Sequence, residues 1–443
     1  MNRAFDRNVM QRMKLLHGVI RRHQAAQPLR GWKVLFIQHQ LENHLAQAQA
    51  ILSLGIDPSD LYWLDIPYTS SPEIREVLQE AGIPGPNFTV HDHNLTQHYA
   101  TYQRTRTGEW IKRFIKEHGS RVSLLVLDDG GYFLEALIPF REKFDRLAVV
   151  EQTMRGIEKL RENIAIRYHY REVPLVDVAT SDPKKSIEPA FIAAAVVEAT
   201  RERLIALKGR IAPPRKILAL GYGAIGSAVA SKLAEHFGLD RKQVFVFDND
   251  RRKRAQSLED GFAPWERSNF DHEFEMVVGC TGTLSFDAWN FVHLTNNALL
   301  VNASSGTAEF SREAYIALAE TSPSDAIRVI DKETLHERDI HSDIVFHMLG
   351  REVVMANGGF PINFDGRLNR IAAEDIQLTV ALMVEAAVQA VTSDRKGLMP
   401  LDVFTCARLM ADFGETRSDR GKASQPATQT QAALAEVAGS IPA

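Results

Sequence analysis

The sequence predicts an α/β protein of two doubly wound parallel-sheet domains, one inserted into the other. Three observations predict it. Apolar runs of strand length alternate with helix-period segments, the pattern of a parallel sheet with helical crossovers. The chain has 443 residues, more than one hydrophobic core usually serves. A self-contained strand–glycine turn–helix–strand unit begins near Arg215, after a first set of strands has passed. Residues 1–190 and a returning segment, 366–414, are expected to form one domain, and 191–365 the inserted one. The stretch 415–443, rich in Gln, Ala, Ser and Thr, reads as a disordered tail.

The elements follow in order. Val9, Met13, Leu16 and Ile20 lay one apolar stripe on a first helix. Strands are expected at Lys33–Ile37 and Leu61–Ile66, with a helix near Glu42–Leu54 between them, and Pro72 opens another helix. Ser123–Leu127 and Leu147–Val150 are short strands of the buried type. A long helix is expected over Pro189–Lys208, stopped by Pro213 and Pro214. After the glycine unit come strands at Met276–Val278, Ala298–Val301, Ile327–Ile330 and Val353–Ala356, then a helix over Ile371–Val391.

Composition narrows the class of protein. Hydrophobic residues make up 45% and charged residues 24%, as in ordinary globular chains. A formal charge of −4 gives no electrostatic pull toward nucleic acid or anionic membrane, so neither is an expected partner. Two cysteines, Cys280 and Cys406, leave no disulfide framework and suit a reducing cytoplasm. No uninterrupted apolar run reaches spanning length, and the most apolar helical segments carry charges. His91, Asp92, His93 and His98 have metal-like composition without ligand spacing, and no metal site is assigned to them.

The segment Arg215–Asp250 carries the strongest motif. An apolar strand, Ile217–Leu220, runs into Gly221, Gly223 and Gly226 at G-x-G-x-x-G spacing, with Ala224 and Ile225 inside it. A helical pattern and a second strand, Val244–Phe247, follow, with Asp248 at its end. The first glycine permits the tight turn. The second lets backbone approach a pyrophosphate, and the third lets helix pack on strand. The helix N-terminus offers N–H groups to phosphate, and Asp248 is placed for the adenosine ribose. This is the dinucleotide-binding (Rossmann) fingerprint. The acid favours NAD over NADP, and the run Arg251, Arg252, Lys253 reads as solvated surface.

Several further segments, in order, resemble the S-adenosylhomocysteine hydrolases over roughly residues 10 to 390. Pro28-Leu29-Arg30-Gly31 is similar to the family's P-L-K-G, and His39 follows the next strand as its substrate-domain histidine does. Leu127-Asp128-Asp129-Gly130-Gly131 matches L-D-D-G-G, and VEQTMRG (150–156) resembles S-E-E-T-T-T-G. Val173-Pro174 begins a segment like V-P-x-x-x-V-x-D-S-x-x-K, which puts its lysine at Lys184. VGCTGT (278–283) resembles V-T-T-T-G, Val301-Asn302 resembles the strand end before N-I-G-H, and GGFPINF resembles the region that contacts the nicotinamide amide. The resemblance implies a split substrate domain, an inserted dinucleotide domain, tightly held NAD and a homo-oligomer, dimer or tetramer. It implies cofactor contacts at Thr281, Gly282, Asn302 and Asn363, and an acid/base set of His39, Asp129, Lys184 and Glu188.

The family's chemistry oxidises a ribose 3′-hydroxyl, expels homocysteine through loss of the C4′ proton, adds water and returns the hydride. Lys184 and Glu188 stand four apart, on one helical face, and can pair to take a hydroxyl proton. Departures cluster on the substrate side. Gln152 replaces a catalytic glutamate; an amide can bind a substrate hydroxyl but cannot act as a base. Pro189 replaces an asparagine, Ala193 a cysteine and Ser305 a histidine, and the family's C-terminal Lys and Tyr have no counterpart. Three readings stay open. One is an NAD-dependent adenosylhomocysteinase-like enzyme acting on a nucleoside or related small polar metabolite, adenosine-containing substrates among them. The others are a non-catalytic NAD/adenosine-binding regulatory homologue and a plain NAD-dependent dehydrogenase.

Overall fold

The computed structural model describes residues 5–119, 121–321 and 327–421, the last four by backbone alone. The chain divides into two compact units. One comprises Met1–His91, Gln103–Glu188 and Ile371–Ala443; the other comprises Asp92–Tyr102 and Pro189–Arg370. The short segment Asp92–Tyr102, expected in the first domain, thus belongs with the second.

The first unit holds a parallel sheet. Its strands are β1 (Lys33–Gln38), β2 (Leu61–Asp65), β3 (Phe88–Thr89), β4 (Ser123–Asp128), β5 (Arg146–Glu151) and β6 (Pro174–Asp177), with a last strand, Gly397–Pro400, at one edge. The order across the sheet is Gly397–Pro400, β6, β5, β4, β1, β2, β3, and every pairing is parallel. The order reverses between β1 and β4, so the crevice outside their carboxyl ends is a topological switch point. The helix Ala373–Thr392 packs on β4, β5 and β6 and against the helices Lys14–His23 and Glu42–Ser53. It is long and apolar enough to cross a membrane, yet 78% of its apolar window is buried here as a core helix.

The second unit holds β7 (Ile217–Leu220), β8 (Val244–Phe247), β9 (Ala263–Pro264), β10 (Phe274–Gly279), β11 (Leu294–Asn302), β12 (Ile327–Val329), β13 (Ile344–Met348) and β14 (Arg351–Met355). Their order is β12, β13, β14, β11, β10, β7, β8, β9, with the switch point between β7 and β10. The core lies between sheet and helices, around Ile217, Val229, Leu233, Val246 and Val278. Arg312 is fully buried and ties Asp92–Tyr102 into this unit: its guanidinium stands 3.0 Å from His93 Nε2 and donates to Gln97 O at 3.2 Å and Gly358 O at 2.7 Å.

Several expectations are corrected. The first helical stripe is broken at Met13 (φ −100°, ψ 75°) into a 3-10 turn, Val9–Arg12, and the helix Lys14–His23. All four stripe residues are still buried. The long helix begins at Asp182, with Pro189 inside it, and runs to Ala206. Proline suits the first turn of a helix because its missing N–H would be unpaired there, but here the turns before Pro189 are already helical. The second sheet is not wholly parallel, since β13 pairs antiparallel with β12 and β14. Residues 415–421, expected in the tail, continue the helix Val403–Gly421, and 422–443 lie outside the described residues.

Candidate functional site

In the second unit β7 ends at Leu220 and the backbone turns at Gly221, φ +91°. A Cβ there would lie 3.0 Å from the Cys280 carbonyl and from Thr281 Cγ2, so this turn packs directly on the loop after β10. A Cβ on Gly226 would fall 2.0 Å from the Gly221 oxygen, which forces glycine where the helix Ala224–Phe237 meets the turn. Gly223 differs. It is the N-cap, with an ordinary φ of −76°, and a Cβ would meet nothing nearer than Lys253 Nζ at 3.7 Å. No side chain caps the helix, so the N–H groups of the Ala224–Ile225–Gly226 turn are offered to an incoming anion. Asp248 is fixed beside this turn: its Oδ2 accepts the Tyr222 N–H at 2.7 Å, its Oδ1 the Asp250 N–H at 2.8 Å, and Lys253 Nζ stands 3.9 Å away.

The loop after β10 is held by a residue that sequence reasoning missed. Glu309 is fully buried, and its carboxylate accepts the N–H groups of Thr281 and Gly282, both at 2.5 Å, and the hydroxyls of Thr281 and Ser285. A Cβ on Gly279 would lie 2.6 Å from Glu309 Oε2, so the strand end is glycine to admit the carboxyl. Burial raises the Glu309 pKa, while these donors pull the other way. The Thr281 and Gly282 N–H groups therefore serve an internal acid. Cys280 is a packed thiol whose pKa is pushed up by burial and then by Glu309, the opposite of a nucleophile's environment. Asn302 is also an internal brace: Nδ2 donates to Gly306 O at 2.7 Å and Gly359 O at 2.8 Å, and Oδ1 accepts the Ser304 N–H at 2.8 Å. That joins β11 to the turn leading to Asn363, which is buried.

In the first unit His39 follows β1 and Asp129 follows β4, one on each side of the switch point. The Thr69 hydroxyl stands 2.8 Å from His39 Nδ1 and 3.2 Å from Ile66 O. The other ring nitrogen, Nε2, lies 3.7 Å from Asp129 Oδ2. Burial, then the charges of His44 and Lys184, hold His39 well below the usual imidazole range. His44, on the helix Glu42–Ser53, is pushed down to about 3 by burial and Lys184. Asp129 is pushed up to about 7 by burial; Lys184 opposes the rise, and Asp128 and Glu188 add to it. Lys184 Nζ lies 3.2 Å from Glu188 Oε2, with side-chain exposures of only 14% and 15%. Thr379 Oγ1 donates to the same carboxylate oxygen at 2.6 Å. This is a half-buried pair in a titratable cluster, unlike an exposed surface pair.

Gln152 accepts the Gln38 Nε2–H at 3.1 Å. The first unit thus brings His39, Asp129, Lys184, Glu188 and Gln152 to one sheet edge, together with His44, Thr69 and Gln38, which sequence reasoning missed. The His91–His98 group does not converge as metal ligands: the Asp92 carboxylate takes the Tyr102 hydroxyl, and His93 Nε2 faces the Arg312 guanidinium.

No family model matches the chain. Two curated relatives from Mycobacterium tuberculosis, Uncharacterized protein Rv0104 of strain H37Rv and Uncharacterized protein MT0113 of strain CDC 1551, are each 25% identical over 370 residues, or 82% of this chain. The match spans 64% of those relatives' length. Among solved structures, the dipicolinate synthase A chain from Bacillus subtilis is 12% identical at a TM-score of 0.34, covering 64% of this chain and 84% of that one. A transhydrogenase from Sinorhizobium meliloti is 9% identical at a TM-score of 0.33, covering 81% of this chain and 91% of that one. At such TM-scores the likeness says nothing about ligands. The chain's own geometry defines an α/β protein with a dinucleotide-type glycine turn in one unit and a cluster of titratable side chains in the other.

Proposed function

We infer that the chain is an NAD-dependent enzyme of the adenosylhomocysteinase type, which oxidises a hydroxyl of a nucleoside or related small polar metabolite. The observation that carries this reading is the cluster of the half-buried pair Lys184 and Glu188 with buried Asp129 and two low-pKa imidazoles at the first sheet's switch point. A purely structural ion pair has no need of such company.

The second unit's residues fit a nicotinamide dinucleotide. Gly223 leaves space for a pyrophosphate, the uncapped helix offers N–H groups to it, and Asp248 accepts from a ribose hydroxyl. When bound, the cofactor supplies a hydride acceptor. The protein supplies the proton chemistry: the Lys184 ammonium passes a proton to the Glu188 carboxylate, 3.2 Å away, the freed amine takes the proton of the substrate hydroxyl, and His39 and Asp129 hold the groups beside it. A homo-oligomer, dimer or tetramer, belongs to the same proposal, and light scattering on the purified chain checks it.

Gln152 favours a second reading, a non-catalytic NAD/adenosine-binding homologue, because an amide stands where the resemblance implies an acid. The deciding experiment is mass spectrometry of the small molecules released when purified protein is denatured. NAD with a hydroxylated co-ligand or its ketone supports the enzyme. Absence of any dinucleotide, with no binding of added NAD, overturns both readings.

A further inference from the structure

We propose that Gln38 is a substrate-binding residue, paired with Gln152 so that the two amides together receive one hydroxyl of the ligand. This rests on reading the first unit as the nucleoside site. Gln38 is the last residue of β1 and is fully buried. Because β4 lies between β1 and β5, its side chain must cross the carboxyl end of β4 to reach Gln152 Oε1, 3.1 Å away. That crossing is the switch point, flanked by His39 and Asp129. The strand ends beneath are locked, since Asp129 N–H donates to Ile37 O and Gln152 N–H to Asp128 O, both at 3.1 Å.

The other half of the Gln38 amide, Oε1, is buried without a hydrogen-bond partner. A buried polar atom left unpaired lowers stability, and a methionine of similar length would avoid that cost. A ligand group accounts for it. With one Gln38 Nε2–H engaged, the pair still offers the Gln38 Oε1 acceptor beside amide N–H donors, those of Gln152 Nε2 among them. A hydroxyl donates to the first and accepts from the second. Turning both amides over exchanges the roles and still presents an acceptor beside amide donors. A carboxylate only accepts, so it would face Oε1 unfavourably.

The test is Gln38→Met in the full chain, with saturating NAD and adenosine as the probe. Thermal unfolding without adenosine reads the orphan atom, and calorimetry reads adenosine affinity. The expected result is a variant that melts at or above the wild-type temperature while losing about tenfold or more in affinity. A variant that melts lower, or fails to fold, makes the amide a structural brace and overturns the proposal whatever it binds. Unchanged adenosine affinity overturns the role of Gln38 alone and leaves the nucleoside reading standing. Wild-type protein that does not bind adenosine sinks the nucleoside reading and this inference with it.

Discussion

Asp128 and Glu151 sit opposite one another on the paired strands β4 and β5, and both carboxyls are fully buried. Asp128 Oδ2 takes the Phe133 N–H at 3.0 Å, and Glu151 Oε1 takes the Thr153 N–H at 2.7 Å. Asp128 Oδ1 and Glu151 Oε2 have no hydrogen-bond partner. Burial raises both pKa values, and the charge of Asp128 lifts Glu151 further, against the pull of Lys159 on Asp128.

A pH dependence of stability follows from that pair. An acid whose folded pKa exceeds its unfolded value keeps its full contribution below the unfolded pKa, about 4. The contribution is lost as pH rises through the raised folded value. Thermal unfolding should therefore show stability falling from mildly acidic toward alkaline pH. Glu151→Gln, which cannot ionise and brings an N–H donor into the same pocket, should flatten the fall and melt higher than wild type at pH 8. A variant that melts lower across the whole range would show that the pair is ionised and satisfied.

Gly223 and Gly226 should respond differently to a side chain. A Cβ on Gly226 lies 2.0 Å from the Gly221 oxygen, so Gly226→Ala should destabilise the protein by about 1–3 kcal/mol or more. Around Gly223 the nearest atom is Lys253 Nζ at 3.7 Å, so Gly223→Val should fold normally and lose dinucleotide binding. Calorimetry with NAD beside a melting curve separates the two. Retained NAD affinity in Gly223→Val would place the cofactor elsewhere.

NAD should bind more tightly than NADP, because a carboxylate at Asp248 would accept ribose hydroxyls and repel a 2′-phosphate. Asp248→Ala should weaken NAD and narrow the preference. Tighter NADP binding by wild-type protein would instead make Lys253, 3.9 Å from the Asp248 carboxylate, the dominant group at that position.

What the sequence disclosed, and what it hid, divides by distance along the chain. The glycine turn was legible because Gly221, Gly223, Gly226 and Asp248 belong to one contiguous strand–helix–strand unit. Lys184 and Glu188 were legible because one helical turn joins them. Gln38, Thr69 and Thr379 were not, because they reach the site only through the order β5, β4, β1, β2 and through a helix that returns at Ala373. Glu309 was hidden for the same reason: no periodicity marks a carboxylate that folds back under the loop after β10. Asn302 was placed correctly at a strand end, yet its amide serves the backbone of its own loops.

Hydrolysis of S-adenosylhomocysteine should be absent or strongly reduced. Gln152 cannot give or take a proton, and Pro189 and Ser305 replace further polar groups. Losing one positioned acid or base commonly costs about 10²–10⁴-fold in rate. A thiol assay for released homocysteine checks this, and brisk release would show that Gln152 is no obstacle to the hydrolysis.

Lys184 should matter more than any other residue at the first sheet's edge. A hydroxyl gives up hydride readily only as its proton leaves, and Lys184 held by Glu188 at 3.2 Å is the base-like pair the site retains. Lys184→Ala should leave NAD binding intact, since the glycine turn and Asp248 belong to the other unit, and should stop reduction of bound NAD by a ligand recovered from the denatured protein. Absorbance in the NADH band reads this directly. A second readout needs no turnover. Lys184 depresses the pKa of His39, His44 and Asp129, so its removal should raise all three, moving Asp129 upward from about 7. Glu188 lifts Asp129, so Glu188→Ala should move it the other way. NMR titration distinguishes these opposite signs from general unfolding. If both variants titrate as expected yet reduce NAD like wild type, the cluster binds the ligand and the proton leaves by another route. If no recovered ligand ever reduces NAD, the non-catalytic reading prevails.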